Sequence, residues 1–275
     1  MSAADGITLK VKRARDHLEL FNQEVHSYVK RNPIGIETKL HPQLARQPEY
    51  DLIILLRIKE EPPAQLSALA GAFCYELRSC LDHLAFALSS THTANLSEKD
   101  AASIGFPIFK GKDLFSRKDA KDHPATSSGL YKMRLIQPEA QSIIEGLQPY
   151  HSGNSTVLHP LWMLHRLNII DKHRQLITVG PPIGRLQTLG SQGKYEVTST
   201  QEVATRPLRD RAIIAKSKIV PLPGWDGHVQ TKGMVPAQVA FDGFSDAKQL
   251  YASEIMREIL EFVGEHVVPP LSPFL

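Results

Sequence analysis

Apolar residues recur along this chain with two periods. In KRARDHLELFNQEVHSYVKR, residues 12–31, Ala14, Leu18, Phe21, Val25 and Tyr28 follow one another at alternating steps of four and three, which lines one face of an α-helix. RNPIG at 31–35 ends that helix. YDLIILLRIKEEPP at 50–63 is different: it is aliphatic at adjacent positions, as a strand is when both faces are covered or when it lies inside a mixed sheet. Pro62 and Pro63 close it and open a long helix, because the first helical N–H groups lack partners in any case. From Thr91 to about residue 130 the pattern breaks into polar, Gly- and Ser-rich loops with short helical turns.

QPEAQSIIEGLQPY restores a helix from Pro138, closed by Gly146 and Pro149, and a further helix follows from about Val157. After LITVGPPIG the texture changes. KYEVTSTQEVA, RAIIAKSKIVPL and HVQTKGMVPAQVAF are rich in Val, Ile and Thr, alternate in part, and are separated by Gly and Pro, which predicts antiparallel strands. SDAKQLYASEIMREILEFVGEHV has Ser245 at the N-cap position and Leu250, Ile255, Ile259 and Val263 near helical spacing, and stops at VVPP. Strand, helices, strands and helix interleave without a clean linker. The reading is a single α+β domain over 1–275, a helical layer or bundle packed with a mostly antiparallel β-sheet. Its parts are a helical core over about 12–178 that includes the strand at 50–60, a β-rich segment over about 175–243, and a C-terminal helix over about 246–266.

Composition narrows the function classes. The 275 residues are 42% hydrophobic and 22% charged, ordinary for a chain that buries a sizeable core. A net charge of +3, with acidic and basic residues well mixed, gives no argument for nucleic acid by itself. Cys74 and Cys80 are six apart on one predicted helix, the wrong geometry for a bridge between them, and read as buried thiols in a reducing compartment. The N-terminal stretch has no run of signal-peptide length, and LIILL at 52–56 is too short to span a bilayer. A cytoplasmic protein without a membrane partner is the expectation.

Two apolar helices carry misplaced charges. LRSCLDHLAFAL at 77–88 sets Arg78, Asp82 and His83 among Leu77, Leu81, Leu84 and Leu88. Arg78 and Asp82, four apart, are neighbours on one face, while His83 lies about 140° round the helix from Arg78. LHRLNIIDKHRQLI at 164–177 places His165, Arg166, Asn168, Asp171, His173 and Arg174 in a helix whose Leu161, Trp162, Leu164, Leu167, Ile169 and Ile170 would otherwise make it apolar all round. Buried polar groups need partners. Facing the two helices together lets Asp82 and Asp171 meet Arg78, Arg174, His83 and His173 in one cluster, which either locks the helices or forms a catalytic site.

The ordered blocks EPP, LRSCLDHLAFAL, FPIF, LQPY and NIIDKHR, over roughly residues 50–178, resemble a family of uncharacterised bacterial proteins with similar LRSxLDHLA and DKHR blocks. That resemblance implies a layout and no reaction. The spacings Arg78 to His83 and Arg166 to His173 also resemble the HEPN superfamily of helical bundles, where such an Arg/His pair marks a metal-independent ribonuclease site. The resemblance implies RNA as partner, with His moving the 2′-hydroxyl proton and Arg holding the phosphate. Ser79 after Arg78, the length of the chain and its β region depart from that pattern.

A metal-binding hydrolase using His83, His159, His165 and His173 with Asp82 or Asp171 is a further alternative, but no His-Glu-x-x-His spacing occurs and neighbouring cations oppose a metal. Neither Ser79 nor Cys80 lies in a nucleophile elbow, and no phosphate loop is present. The sequence therefore favours a binding or structural protein with a buried Arg/Asp/His cluster, without a cofactor or bound metal. The candidate site residues are Arg78, Asp82, His83, Asp171, His173 and Arg174; RNA is the candidate ligand and a homodimer the candidate assembly.

Overall fold

The computed structural model describes residues 3–42, 49–170, 176–179, 194–202, 210–226, 229, 238–241 and 251–275. In chain order the elements are α1 (Ala3–Lys30), β1 (Ile34–Pro42), β2 (Tyr50–Ile58), α2 (Ala64–His92), α3 (Glu98–Ser103), α4 (Lys112–Phe115), α5 (Gly129–Met133) and α6 (Pro138–Gly146). A kinked 3₁₀ segment (Pro149–Leu158) leads to α7 (Pro160–Ile170), β3 (Leu176–Val179), β4 (Tyr195–Glu202), β5 (Ile213–Pro221), β6 (Gln238–Phe241), α8 (Ala252–Glu261), a π turn (Phe262–Val267) and α9 (Val268–Leu271). The fold is α+β. The described chain divides into two compact units, one helical (1–22, 65–174 and 252–275) and one containing the strands (23–64 and 175–251).

In the strand unit, β1, β2, β5 and β4 form an antiparallel sheet in that order, and β3 pairs with β6 in a separate ribbon. The strand expected at 50–60 is thus an inner strand joined to the later β-rich segment. Its two faces are covered unequally: Leu52, Ile54 and Leu56 are fully buried, whereas on the other face Leu55 is buried but Asp51, Ile53 and Arg57 are half-buried. The buried face joins Ile34, Tyr195, Ile214, Ala215 and Ile219 in one apolar core, flanked by Val29, Ile36 and Trp225. On the other face Arg57 pairs with Glu37 at 3.3 Å and Asp210 at 3.2 Å. The end of α1 is held by the Tyr28 hydroxyl donating to the Glu60 carbonyl at 2.6 Å and by the Arg31–Glu60 ion pair.

β1 had no counterpart in the sequence reading. Ile34, Ile36 and Leu40 alternate at strand spacing and face the core, but Pro33 and Gly35 at the start give the segment the look of a turn.

In the helical unit, α1 begins nine residues before the expected 12, and Ile7, Ala14, Leu18 and Phe21 form its buried stripe. α2 buries Leu77, Leu81, Leu84 and Leu88. Glu76, almost fully buried, is neutralised by Lys10 at 3.5 Å and Arg13 at 3.4 Å from α1. Cys74 and Cys80 are buried free thiols, and burial pushes the Cys80 thiol up to about 12. α7 is not apolar all round: Leu161, Met163, Leu164 and Leu167 are buried, while Trp162 is half-buried and Ile169 is 57% exposed.

The terminal helix differs from expectation at both ends. Tyr251 is non-helical and α8 begins at Ala252, while Ser245 and Leu250 lie outside the described residues. Ile255, Ile259 and Val263 are buried as their spacing predicts. Beyond them the helix does not stop at VVPP. A π turn lets the Val268 N–H reach the Val263 carbonyl, and Pro269 and Pro270 then sit in the first turn of α9, where a missing N–H costs little.

Candidate functional site

The helical unit contains a segment with little regular backbone pairing, Gly105–Phe109, held by side chains on both flanks. From α2, Asp82 lies along the same face as Arg78 and accepts from Arg78 Nε at 3.1 Å and Nη2 at 2.7 Å. The pair also grips the segment: Phe106 N donates to Asp82 Oδ1 at 3.0 Å, and Arg78 Nη2 donates to the Phe106 carbonyl at 2.9 Å. A Cβ at Gly105 would stand 3.4 Å from Asp82 Oδ1, in ordinary contact with the carboxylate that grips the segment. On the other flank, buried Gln148 donates from Nε2 to the Pro107 carbonyl at 2.9 Å and the Ile144 carbonyl at 3.0 Å, and its Oε1 accepts from Phe109 N at 3.0 Å. Three sequence blocks, LRSCLD, FPIF and LQPY, therefore meet through Arg78, Asp82, Phe106 and Gln148. A chain segment without a ladder partner has its polar groups satisfied by a guanidinium, a carboxylate and an amide.

Beyond the segment lies a basic and aromatic cluster, in which Phe115 is buried, Phe109 and Tyr150 are half-buried and Lys110 is exposed. The Phe109 ring stands edge-on to Phe115 (centroids 5.8 Å apart), which stands edge-on to Tyr150 (5.6 Å). Burial and the neighbouring Glu145 push the Tyr150 phenol above its ordinary range. Lys132 of α5 sets Nζ 5.9 Å from the Phe109 ring centre, and Lys110 sets Nζ 5.7 Å from that of Trp162, whose ring packs against His165 at 5.3 Å. Burial and the charge of Arg78 lower the Lys132 pKa, with Asp82 opposing. His165 is likewise lowered by burial, then by Arg78 and Lys132. These mutual effects place Arg78, Lys132 and His165 in one electrostatic neighbourhood.

The expected site residues divide into three groups. Arg78 and Asp82 meet as expected, with their side chains 19% and 41% exposed. His83 is exposed and makes no hydrogen bond to either; five positions along a helix carry it to another face. Asp171, His173 and Arg174 lie outside the described residues. Among the described residues no group of three or more His, Cys, Asp and Glu is placed to hold a metal, and no helix is long and apolar enough to cross a membrane. His159 caps α7 instead: its Nδ1 accepts from Leu161 N at 3.3 Å, Phe262 stands edge-on at 4.9 Å, and burial holds its pKa down at about 4, which keeps the accepting nitrogen unprotonated.

Sequence reasoning passed over Lys132 and Gln148. His165 was legible as a polar interruption of an apolar helix; Lys132 sits in a five-residue helix too short for periodicity to speak, and Gln148 looked like part of a helix-ending turn. Compared with known proteins, the chain matches no family model, no curated protein and no solved structure.

Proposed function

We propose that this chain is a binding protein whose Arg78–Asp82 pair serves as scaffolding, fixing the Gly105–Phe109 segment so that it presents the adjoining basic and aromatic cluster. The observation that carries this reading is the reciprocal grip on Phe106, in which one residue pair satisfies both the N–H and the carbonyl of the same amino acid. A guanidinium already shared between a carboxylate and a carbonyl has fewer donors left for a phosphate in transit, and the exposed ring of His83 is not aligned with it. Both points weigh against a ribonuclease built on Arg78 and His83.

The test sets the full chain and its His83→Ala variant against unstructured RNA in chelator. The expected result is no cleavage that His83→Ala removes. Cleavage by the wild type that yields a cyclic phosphate and disappears in a folded His83→Ala variant would refute the scaffold reading in favour of the HEPN-like one.

A further inference from the structure

The four-stranded sheet ends on one side in an edge that is regular and self-complementary. Among the described residues nothing pairs with β1 on the side away from β2. Across its nine residues β1 matches β2 without a register shift, whereas β4, at the opposite edge, carries an irregularity after Val197 that interrupts its ladder. The pairing settles which backbone groups are open. Lys59 N donates to the Pro33 carbonyl at 2.7 Å, and Leu56, opposite Ile36, donates its N–H to the Ala212 carbonyl at 2.9 Å on the β5 side. Hydrogen bonding alternates along an antiparallel ladder, so Gly35, Glu37, Lys39 and His41 turn their backbone groups toward β2. Those of Ile34, Ile36, Thr38 and Leu40 point outward. Ile36 and Leu40 are only partly buried against the apolar core of the sheet, while on its other face Lys39 is exposed and Glu37 half-buried.

We propose that β1 pairs antiparallel with β1 of a second copy of this chain, about a twofold axis at Thr38, joining the two sheets into one. The strand is self-complementary about that residue: Ile36 lies opposite Leu40 of the second copy, Glu37 opposite Lys39, and Thr38 opposite Thr38. Outward backbone groups meet in this register, since Thr38 exchanges both its hydrogen bonds with its counterpart and Ile36 does so with Leu40. Glu37 and Lys39 then form a pair without mutual backbone bonds, the kind whose Cα atoms come closest, about 4.5 Å apart. The twofold axis makes this opposite-charge pair twice. Charge also rejects the neighbouring registers. Moving the axis by one residue sets Glu37 against Glu37 or Lys39 against Lys39, and like charges directly opposite are destabilising. A lysine on an open edge otherwise serves to keep strands apart; here the strand's own carboxylate stands where the second copy's lysine arrives. Within one chain Glu37 lies 3.7 Å from Lys39 and 3.3 Å from Arg57. Pairing exchanges the first contact for its equivalent across the axis and leaves the second in place. This inference does not depend on the reading of the helical unit.

Sedimentation equilibrium of the full chain tests the pairing. Between about 1 and 500 µM the weight-average mass is expected to rise from 30.6 kDa toward twice that value, as for an interface at the small end of the range. Lys39→Glu and Glu37→Lys, each alone, set like charges opposite one another twice per dimer and should weaken association at least about tenfold. An equimolar mixture of the two variants restores opposite pairs in the same register. It should recover association to within about threefold of wild type, as should the double swap Glu37→Lys/Lys39→Glu. Thr38→Pro removes an outward N–H, leaves the β1–β2 ladder intact and should give a monomer. A wild type that stays at 30.6 kDa up to about 500 µM overturns the dimer. Dimerisation undiminished by Thr38→Pro moves the contact off this edge, and a mixture that associates no better than either single variant overturns the register. Should Thr38→Pro fail to fold, the charge swaps decide alone: association of both single variants equal to wild type then overturns the edge pairing.

Discussion

Removal of the Asp82 carboxylate is the most direct perturbation of the grip on Phe106. Asp82→Ala deletes two charge-assisted contacts to Arg78 and one acceptor for Phe106 N. Because the carboxylate is 41% exposed, the ion pair itself is worth under about 1 kcal/mol after solvent screening. The Phe106 N–H, in contrast, is left without its acceptor in a half-dry site, which costs about 1–2 kcal/mol. The sum is about 2 kcal/mol, and Asp82→Asn, which keeps an oxygen facing Phe106 N, should recover about half. With two compact units in the chain, a single melting midpoint is a poor measure of a local loss. Amide hydrogen exchange at Phe106 is the sharper assay, since the loss should appear there as protection reduced about thirtyfold, the equivalent of 2 kcal/mol at about 1.4 kcal/mol per factor of ten. Unchanged Phe106 protection in Asp82→Ala would refute the idea that the carboxylate holds this segment.

Gln148→Ala should cost more, about 2–4 kcal/mol in urea unfolding, because the amide is fully buried and its loss orphans both the Pro107 carbonyl and Phe109 N; a cost under about 0.5 kcal/mol would contradict that account. For His159, the folded pKa of about 4 lies below the ordinary 6.5, so the unfolded chain takes up the proton first as pH falls. Stability is then fully present above about pH 6.5 and declines down to about pH 4; the ceiling of about 3 kcal/mol shrinks to about 1–2 kcal/mol for a ring still partly wetted. Urea midpoints at several pH values should show a decline that His159→Asn, which retains an acceptor for Leu161 N, reduces.

The legible parts of the fold were those where one physical rule acts alone. The stripe Leu77, Leu81, Leu84 and Leu88, the proline start of α6 and the alternation of buried Ala215, Ser217 and Ile219 with exposed Lys216 and Lys218 in β5 follow from periodicity and backbone sterics. β1 was lost because Pro33 and Gly35 speak for a turn, while the tertiary partner that makes Ile34, Ile36 and Leu40 a strand is β2. At the candidate site, Arg78 and Asp82 were legible because i,i+4 neighbours meet on any helix. Their real counterpart, the backbone of Phe106, was not, since nothing in local sequence states which loop will lie 24 residues downstream against a given carboxylate. His83 was drawn into the cluster by chemistry alone, although the helical angle already argued against it.

Each of the two units is assembled from separated stretches of chain: residues 65–174 of the helical unit fall between the β2 and β5 strands that pair in the other, and 252–275 return to the helical unit after the sheet is complete. During synthesis, the β2 edge that awaits β5 therefore stays unpaired until more than half the chain has followed it, and the helical unit lacks α8 and α9 until the end. Such long-delayed pairing slows folding and leaves a strand edge open to other chains. Fragments cut at any single point would leave at least one unit incomplete, so interior deletions and N- or C-terminal truncations should yield aggregation rather than a smaller folded protein.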